Sequence, residues 1–211
     1  MIFLHRQNNI SNYIQNFGVE IDLRRNEQGL VLNHDLLKFN IKYPLFSEKI
    51  HFFQNVPIIC NIKESNLEEL VIDIFDSVNG EIDRCSGGGG GYEYYFLDSQ
   101  IPDILRISKK IKGKFIIRVS DVETLNHKLI ELSESKYLWV DYSQYANFNI
   151  KEYANFITNL YNNIDKNLEL IIVSPELYDP SFITLIPQMQ KVLPYNVSIC
   201  TKKPGLWSHY V

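Results

Sequence analysis

Two carboxylates near the start of the chain, Glu20 and Asp22, have the type and spacing that metal-assisted chemistry requires. They alternate with apolar residues in the segment 19–23, so on a β-strand both acids would share one face and the apolar residues the other. Two like charges buried on one face raise each other's pKa unless something compensates them. A hard divalent cation such as magnesium or calcium is the simplest compensation, which predicts a metal site. The alternative is an edge strand whose polar face is solvated.

Two histidines, His5 and His34, could supply acid–base chemistry to the same site. Each follows a short apolar run, at residues 2–4 and 30–33 respectively. Imidazole titrates near neutral pH, so one ring can accept a proton from a nucleophile while the other donates one to a departing alkoxide. A single histidine in such a place is usually an ordinary surface residue, but two at successive strand ends favour a shared catalytic role.

The elements that would position these side chains follow a regular order along the chain. Apolar runs of strand length occur at residues 2–4, 19–23, 58–63, 94–97, 115–119, 137–141, 168–173 and 197–200. Segments with helical periodicity lie between most of them, at residues 67–77, 103–111, 122–132, 151–161 and 180–192. This alternation predicts an α/β protein, and eight units favour a closed (β/α)8 TIM barrel over an open doubly wound sheet. We also expect an extra strand at residues 30–34, hairpinned to the second strand, and little or no final helix.

Chemistry in such a barrel is located where the strands end at their carboxyl side. His5-Arg6 follows the first strand, and His34-Asp35 ends the extra strand. Further polar residues follow the later strands: Arg118, Ser120, Asp141, Glu176 and Lys202. Of these we predict that Arg118 and Glu176 contact the substrate, Arg118 because a buried arginine needs an anion. A capping or barrel-filling role is the alternative for each.

Three motifs in this order carry a resemblance to a known family. His5-Arg6, then the segment 18–24 (Gly-Val-Glu-Ile-Asp-Leu-Arg), then the segment 29–35 (Gly-Leu-Val-Leu-Asn-His-Asp) resemble the N-terminal signature of the glycerophosphodiester phosphodiesterase family. That family is part of the phosphatidylinositol-phospholipase-C-like phosphodiesterase superfamily, and this chain looks like a short, divergent member. Weaker similarities to the family's motifs continue at residues 61–63, 95–98 and 200–204. The resemblance implies a TIM barrel that hydrolyses glycerophosphodiesters to an alcohol and glycerol 3-phosphate.

The resemblance also implies roles for individual residues. His5 and His34 would be the acid–base pair, and Arg6 would contact the phosphate. Metal ligands would be Glu20 and Asp22, with Asn61 at the position of a third. Asn61-Ile62-Lys63 resembles the family's Glu-x-Lys strand, and Lys63 would point inward at the phosphate.

The chain departs from the family pattern at points that bear on metal and substrate. Asn61 stands where the family has glutamate, and a neutral third ligand should bind a metal ion more weakly. Gln7 replaces the usual glycine, and the segment 35–58 is too brief for the inserted subdomain that commonly grips glycerol. Two alternatives therefore stay open: a catalytically weakened phosphate-binding barrel with a regulatory role, and a phospholipase-D-like lyase that forms a cyclic phosphate.

Composition limits the remaining function classes. A chain of 211 residues with 45% hydrophobic content is large enough for one domain over residues 1–211. The net charge of -4 argues against nucleic acid or an anionic membrane surface as main partner, and we expect a small phosphodiester substrate with no membrane insertion. Aromatic residues are interleaved with asparagine, which is more typical of packing than of a nucleic-acid platform.

Cysteine usage and local sequence bias add little further chemistry. Cys60, Cys85 and Cys200 are odd in number and far apart, so we expect no disulfide framework or zinc module and a reducing cytoplasm. The apolar start of the chain is too short for a signal peptide. The glycine run 87–91 lacks a phosphate-loop pattern and is interpreted as a flexible linker. The remaining histidines, His51, His127 and His209, are expected at the surface.

Overall fold

A computed structural model describes residues 1–86, 91–143, 148–208 and 210, with only the backbone described over 81–86. The strands are β1 (Ile2–Leu4), β2 (Gly18–Asn26), β3 (Gly29–Leu32), β4 (Ile58–Ile62), β5 (Tyr94–Leu97), β6 (Ile116–Val119), β7 (Tyr137–Val140), β8 (Glu169–Val173) and β9 (Ser198–Thr201). The α-helices are α1 (Phe46–Lys49), α2 (Glu68–Ser86), α3 (Ile101–Ile107), α4 (His127–Ser133), α5 (Ile150–Asn163), α6 (Ile186–Gln190) and α7 (Pro204–Trp207). Short 3-10 helices cover Ile50–Phe53, Pro175–Leu177 and Pro180–Leu185.

Eight of these strands form one parallel sheet that nearly closes into a barrel. Their order is β5-β4-β2-β1-β9-β8-β7-β6. The two end strands meet at a single parallel bridge between Phe96 and Phe115, where the Phe96 amide donates to the Lys114 carbonyl at 2.7 Å. The ninth strand, β3, pairs antiparallel with β2. The predicted (β/α)8 barrel and its extra hairpin strand are therefore confirmed, and the open sheet is excluded.

Alternating side chains on the strands separate two apolar clusters. Val19, Ile21 and Leu23 on β2 face outward into the large core beneath the helices. A smaller cluster fills the barrel interior and includes Phe3 and Trp139. Because inward and outward positions alternate along a strand, the residues between the outward ones on β2 must point into the barrel.

One glycine is required by this interior packing. Gly18 pairs with Phe3 across β1 and β2. A Cβ atom at residue 18 would lie 2.4 Å from Cδ1 of the Phe3 ring, which is closer than two carbon atoms can approach. The absence of a side chain at Gly18 therefore lets the Phe3 ring fill the barrel below the acidic side chains of β2.

The helices depart from the predicted ranges where local hydrogen bonds compete with helix formation. The predicted helix 122–132 begins only at His127, because Ser120 Oγ accepts from the amides of Val122 and Glu123 and closes a turn instead. The predicted helix 180–192 is divided into a 3-10 helix and α6. A four-residue helix, α7, follows the last strand.

Two predictions fall outside what the structure describes. Residues 87–90 of the glycine run and His209 lie outside the described ranges, so the linker interpretation stays a prediction. Among the helices that are described, none combines the length and the apolar character needed to cross a bilayer.

Candidate active site

The acidic side chains of β2 lie at the carboxyl edge of the barrel, as the strand alternation predicts. Glu20 and Asp22 are both almost fully buried. Asp22 is in register with Asn61 on the neighbouring strand β4. These side chains adjoin a cavity of about 290 Å³. Its lining consists of His5, Arg6, Glu20, His34, Asn61, Lys63, Arg118, Trp139, Asp141, Val173, Leu177 and Tyr178.

The two carboxylates accept hydrogen bonds from loop and strand neighbours. Glu20 accepts from the Asn61 side-chain amide at 2.8 Å and from the backbone amide of Arg6 at 2.7 Å. Asp22 accepts from the side chain of Asn8 at 2.8 Å, and its own backbone amide donates to the same Asn8 at 2.8 Å. The Lys63 ammonium lies 3.3 Å from Asp22 Oδ1. The Lys63 ammonium, the more distant Arg6 guanidinium and several neutral donors thus face two buried negative charges.

This compensation is incomplete, and the pKa of Glu20 shows it. Burial raises that pKa from 4.5 to about 7, and the negative charge of Asp22 adds to the effect. The hydrogen bonds from Asn61 and Arg6 and the charge of Lys63 act in the opposite direction but do not cancel it. The site therefore favours an additional positive charge, either a proton or a cation.

The oxygen atoms available at the site suit a hard divalent cation. Asp22 Oδ1 and Asn61 Oδ1 are buried and accept no hydrogen bond from any described residue. Within the described ranges no three His, Cys, Asp or Glu side chains are grouped closely enough to hold a metal ion by themselves. Glu20 and Asp22 supply only two carboxylates, so a third protein ligand would have to be an amide oxygen such as that of Asn61.

His5 lies against Glu20 in a strongly buried position. Its Nε2 atom is 3.9 Å from Glu20 Oε2, and its Nδ1 atom has no hydrogen-bond partner among the described residues. Burial, followed by the positive charges of Arg6 and Lys202, lowers the pKa of His5 from 6.5 to about 3. The imidazole is therefore neutral at physiological pH and has a ring nitrogen free to accept a proton.

His34 is held in one tautomer by its two neighbours. Its Nε2 atom lies 2.7 Å from Arg6 Nη2, and its Nδ1 atom lies 2.9 Å from Asp35 Oδ1. A guanidinium group can only donate, so Nε2 must be the acceptor and Nδ1 must carry the proton that is shared with Asp35. The side chain is about one-third exposed, which makes it more accessible than His5.

Arg6 connects the histidine to the carboxylates through an unusual backbone conformation. Its φ angle is +52°, in the left-handed region that residues other than glycine rarely adopt. From this conformation the Arg6 amide donates to Glu20 while its guanidinium reaches His34 and lies 3.9 Å from Asp22. Backbone strain of this kind is concentrated at functional sites, and here it orients a cation at the cavity.

Arg118 lines the opposite wall, where it is already paired with acids. Its Nε and Nη2 atoms donate to the two oxygens of Asp98 at 2.8 and 2.7 Å, and its Nη1 atom donates to Asp141. The anion that a buried arginine needs is thus supplied by the protein itself. Asp98 was not predicted as the partner of Arg118, because it follows a different strand and is held at a φ angle of +61°.

Glu176 is not brought to the cavity. Its buried carboxylate accepts hydrogen bonds from the hydroxyls of Ser174 and Thr201 and from the amide of Lys202. These bonds join the end of β8 to the end of β9, which is an anchoring role. Glu64, two residues beyond the end of β4, pairs with Arg24 at 3.0 Å.

Trp139 is a cavity residue that was not predicted from the sequence. It is 4% exposed, and its indole N–H meets no acceptor among the residues that the structure describes. An indole nitrogen can only donate, so the group requires an oxygen from outside the described residues. Strand alternation could have identified it, because Trp139 lies two residues before Asp141 and must share its inward face.

Comparison with known proteins adds a match at the level of the fold. No family model matches the chain, and no curated protein matches its sequence. The structure is similar to a crystal structure from Agrobacterium tumefaciens described as a "putative glycerophosphoryl diester phosphodiesterase". The match has a TM-score of 0.53 and 11% identity, and it covers 99% of this chain and 96% of the other. The match therefore shows the TIM-barrel fold that the resemblance of the N-terminal motifs implied.

Proposed function

We propose that this protein is a metal-assisted phosphodiester hydrolase that acts on a glycerophosphodiester or a similar small phosphodiester. The observation that carries the proposal is the convergence of two histidines, two carboxylates and two cations on one side of one cavity. These groups come from four separate segments of the chain, so their proximity is not a consequence of sequence spacing. The fold match supports the same class of reaction.

In this proposal a divalent cation, magnesium or calcium, is held by Glu20, Asp22 and Asn61. The hard oxygen donors and the raised pKa of Glu20 are what support it. When bound, such an ion would stabilise the negative charge that develops on the phosphate oxygens. Lys63 would occupy the other side of Asp22 and add a second positive charge near the phosphate.

Arg6 would bind the phosphate, because a guanidinium matches two phosphate oxygens with two hydrogen bonds. Its present partner, His34 Nε2, would then be free to take up a proton. Asp35 would stabilise the resulting imidazolium through Nδ1. His34 is thereby suited to donate a proton to the departing alkoxide.

His5 would be the general base. It is neutral and has an unpartnered nitrogen, and its low pKa is caused by burial and by nearby cations. An anionic phosphate beside it would offset those cations and raise its affinity for a proton. The ring could then accept a proton from the attacking water, and Glu20 would face the imidazolium from 3.9 Å.

Turnover of bis(p-nitrophenyl) phosphate by the purified chain tests this function. We expect hydrolysis that requires added magnesium or calcium, stops with EDTA, and falls about 100-fold or more in His5→Ala. The matched control is His127→Ala, because His127 is exposed and does not line the cavity. Turnover that survives EDTA would contradict the metal role, and unchanged turnover in His5→Ala would contradict the general base.

Phosphorus NMR of the products distinguishes the hydrolase from the lyase alternative. With glycerophosphocholine as substrate, a hydrolase yields a phosphate monoester directly. A lyase instead yields a cyclic phosphodiester. Accumulation of that product would show that the reaction is an intramolecular attack and not hydrolysis.

A phosphate-binding barrel with little turnover is the second candidate, and Asn61 is the observation that favours it. Asn61→Glu would give the site three carboxylates, and we expect metal affinity by calorimetry to increase by about tenfold or more. Asn61→Gln is the control that keeps the amide. Turnover that appears only in Asn61→Glu would favour the second candidate, whereas turnover already present in the unmodified chain would favour the hydrolase.

A further inference from the structure

The segment 36–43, which we call the rim loop, presents apolar side chains to solvent directly after His34 and Asp35. Leu36 is 78% exposed, Phe39 is 92% exposed and Ile41 is 55% exposed. Single exposed apolar residues are common on protein surfaces, but a group of large ones on one short loop is not. This concentration indicates a surface that is covered when the protein works.

The rim loop is ordered by its own hydrogen bonds. The Lys38 amide donates to the Tyr43 hydroxyl at 2.8 Å, and the Ile41 amide donates to the Lys38 carbonyl at 3.4 Å. Asn40 adopts the left-handed conformation, with φ of +63°, that asparagine tolerates in turns. Phe39 therefore stands at the tip of a defined turn, and the backbone holds its ring in water.

The rim loop borders the candidate active site. β2 pairs with β4 only as far as Leu23 and then continues to Asn26, so the β2–β3 hairpin stands above the carboxyl edge of the barrel. Residues 26–28 at the hairpin tip and residues 37–43 of the rim loop together line one open groove of about 730 Å³. His34, which lines the active-site cavity, is two residues from Leu36.

The charges on the rim loop favour a lipid surface over other binding partners. Lys38 and Lys42 alternate with the apolar residues, and both are exposed without an ion pair to any described residue. Of the nearby acids, Asp35 is engaged by His34, which leaves Glu27 on the hairpin. Interfacial binding typically uses apolar side chains that enter the boundary between headgroups and acyl chains. Lysines beside them contact anionic headgroups. A stable dimer needs about 800 Å² from each partner, far more than one turn offers.

We propose that the rim loop docks the protein on an anionic lipid surface, and, resting on the proposed function, that the site cleaves the phosphodiester of a lipid headgroup there. Phe39, Leu36 and Ile41 enter the interface, and Lys38 and Lys42 contact lipid phosphates. The neighbouring cavity then opens onto the headgroup layer. None of the described helices crosses the membrane in this arrangement.

Vesicle flotation of the full chain in EDTA tests the docking without turnover. We expect binding to phosphatidylcholine vesicles that contain phosphatidylglycerol, weakened about tenfold or more by Phe39→Ser. Lys38→Glu/Lys42→Glu should remove the preference for the anionic lipid while circular dichroism stays unchanged. The matched control is Tyr195→Ser, because Tyr195 is 82% exposed in the connection before β9, at the opposite end of the barrel.

Activity separates this proposal from the proposed function. Phe39→Ser should slow hydrolysis of phosphatidylglycerol in vesicles and leave turnover of soluble bis(p-nitrophenyl) phosphate unchanged. Failure of the unmodified chain to float, or equal flotation of Phe39→Ser, would overturn the docking proposal even if the soluble substrate is hydrolysed. A dimer seen by light scattering that Phe39→Ser dissociates would also overturn it, in favour of a second copy. Flotation without turnover of either substrate would contradict the proposed function and leave the docking intact.

Discussion

At the scale of single residues, Glu20 and Asp22 set the electrostatics of the site. Both are buried, and the groups around them are the Lys63 ammonium, the Arg6 guanidinium and several neutral donors. The physical consequence is a glutamate that holds a proton at near-neutral pH. Metal binding must then release that proton, so metal affinity should rise as the pH increases through about 7.

The first prediction concerns the stability of the metal-free protein. The pKa of Glu20 is raised from 4.5 in the unfolded chain to about 7 in the folded protein. Its contribution to stability is therefore fully present below about pH 4.5 and is lost as the pH rises through about 7. The loss is on the order of 3 kcal/mol in the free energy of unfolding. The lowered pKa of His5 changes the stability in the opposite direction below about pH 6.5. The unmodified chain is therefore compared with Glu20→Gln, because both proteins contain His5. Urea denaturation in EDTA measures both variants.

In this experiment Glu20→Gln should become more stable than the unmodified chain above about pH 7 and lose that advantage below about pH 4.5. Added magnesium or calcium should reverse the order above pH 7, because a carboxylate binds the ion more tightly than a neutral amide does. A constant difference between the two proteins at all pH values would show that the pKa of Glu20 is not raised.

The second prediction concerns Trp139, whose indole N–H has no acceptor in the described part of the chain. If a substrate oxygen accepts from it, Trp139→Phe should lower kcat/KM by about tenfold, the usual worth of one hydrogen bond to a charged group. Removal of a buried, unpartnered donor should leave stability unchanged or higher. Steady-state kinetics and urea denaturation give the two values, and unaltered kinetics would assign Trp139 to packing alone.

Residue chemistry that depends on strand alternation was predictable from the sequence, and chemistry that depends on loops was not. The shared inward face of Glu20 and Asp22 follows from a spacing of two. Asn8 and Asp98, which bind Asp22 and Arg118, come from segments after strands, where no periodicity fixes the direction of a side chain. Glu176 was assigned to the substrate because it follows a strand, but a turn directs it to Thr201 instead.

At the scale of elements, β1 and β2 position His5, Arg6 and the two carboxylates of the candidate site. Gly18 and Phe3 are in register, and Glu20 follows two residues later on the same inward face. Any shift of β2 that is needed to accommodate a side chain at residue 18 would therefore move the carboxylate as well. Packing of one aromatic ring at the barrel floor is thus coupled to the geometry of the acids above it.

The third prediction tests that coupling with Gly18→Ala. The new Cβ would lie 2.4 Å from a buried ring carbon, so we expect the free energy of unfolding to fall by about 1–3 kcal/mol. Turnover should fall too, because the Glu20 carboxylate is displaced. Phe3→Leu in the same chain frees space and should restore part of both losses. Absence of any rescue in the double variant would show that the Phe3 contact is not the cause.

The types and order of the strands were predictable because the apolar runs match a buried parallel sheet. Helix boundaries were less so, since Ser120 closes a turn where periodicity alone predicted the start of a helix. The single bridge between Phe96 and Phe115 at the junction of β5 and β6 has no counterpart in the sequence pattern, because strand pairing depends on the closure of the whole sheet.

At the scale of the whole molecule, net charge was a poor guide to surfaces. The value of -4 argued against an anionic membrane as main partner, yet it averages over the chain. Lys38 and Lys42 lie together with exposed apolar side chains beside the cavity, and the proposed docking depends on that local arrangement. A local patch of this kind is visible only once the loop has a three-dimensional position.

The central claim is that His5 and His34 act with the carboxylates as one phosphodiester-cleaving site. A double-mutant cycle on kcat/KM for glycerophosphocholine tests it most directly, because its alkoxide leaving group needs a proton whereas p-nitrophenolate does not. Folding of each variant is checked by circular dichroism. We predict that His5→Ala and His34→Ala each lose about 100-fold or more. Because members of one catalytic unit are not additive, the double variant should lose little more than the worse single variant. Turnover retained in both single variants, or losses that multiply in the double variant, would contradict the claim.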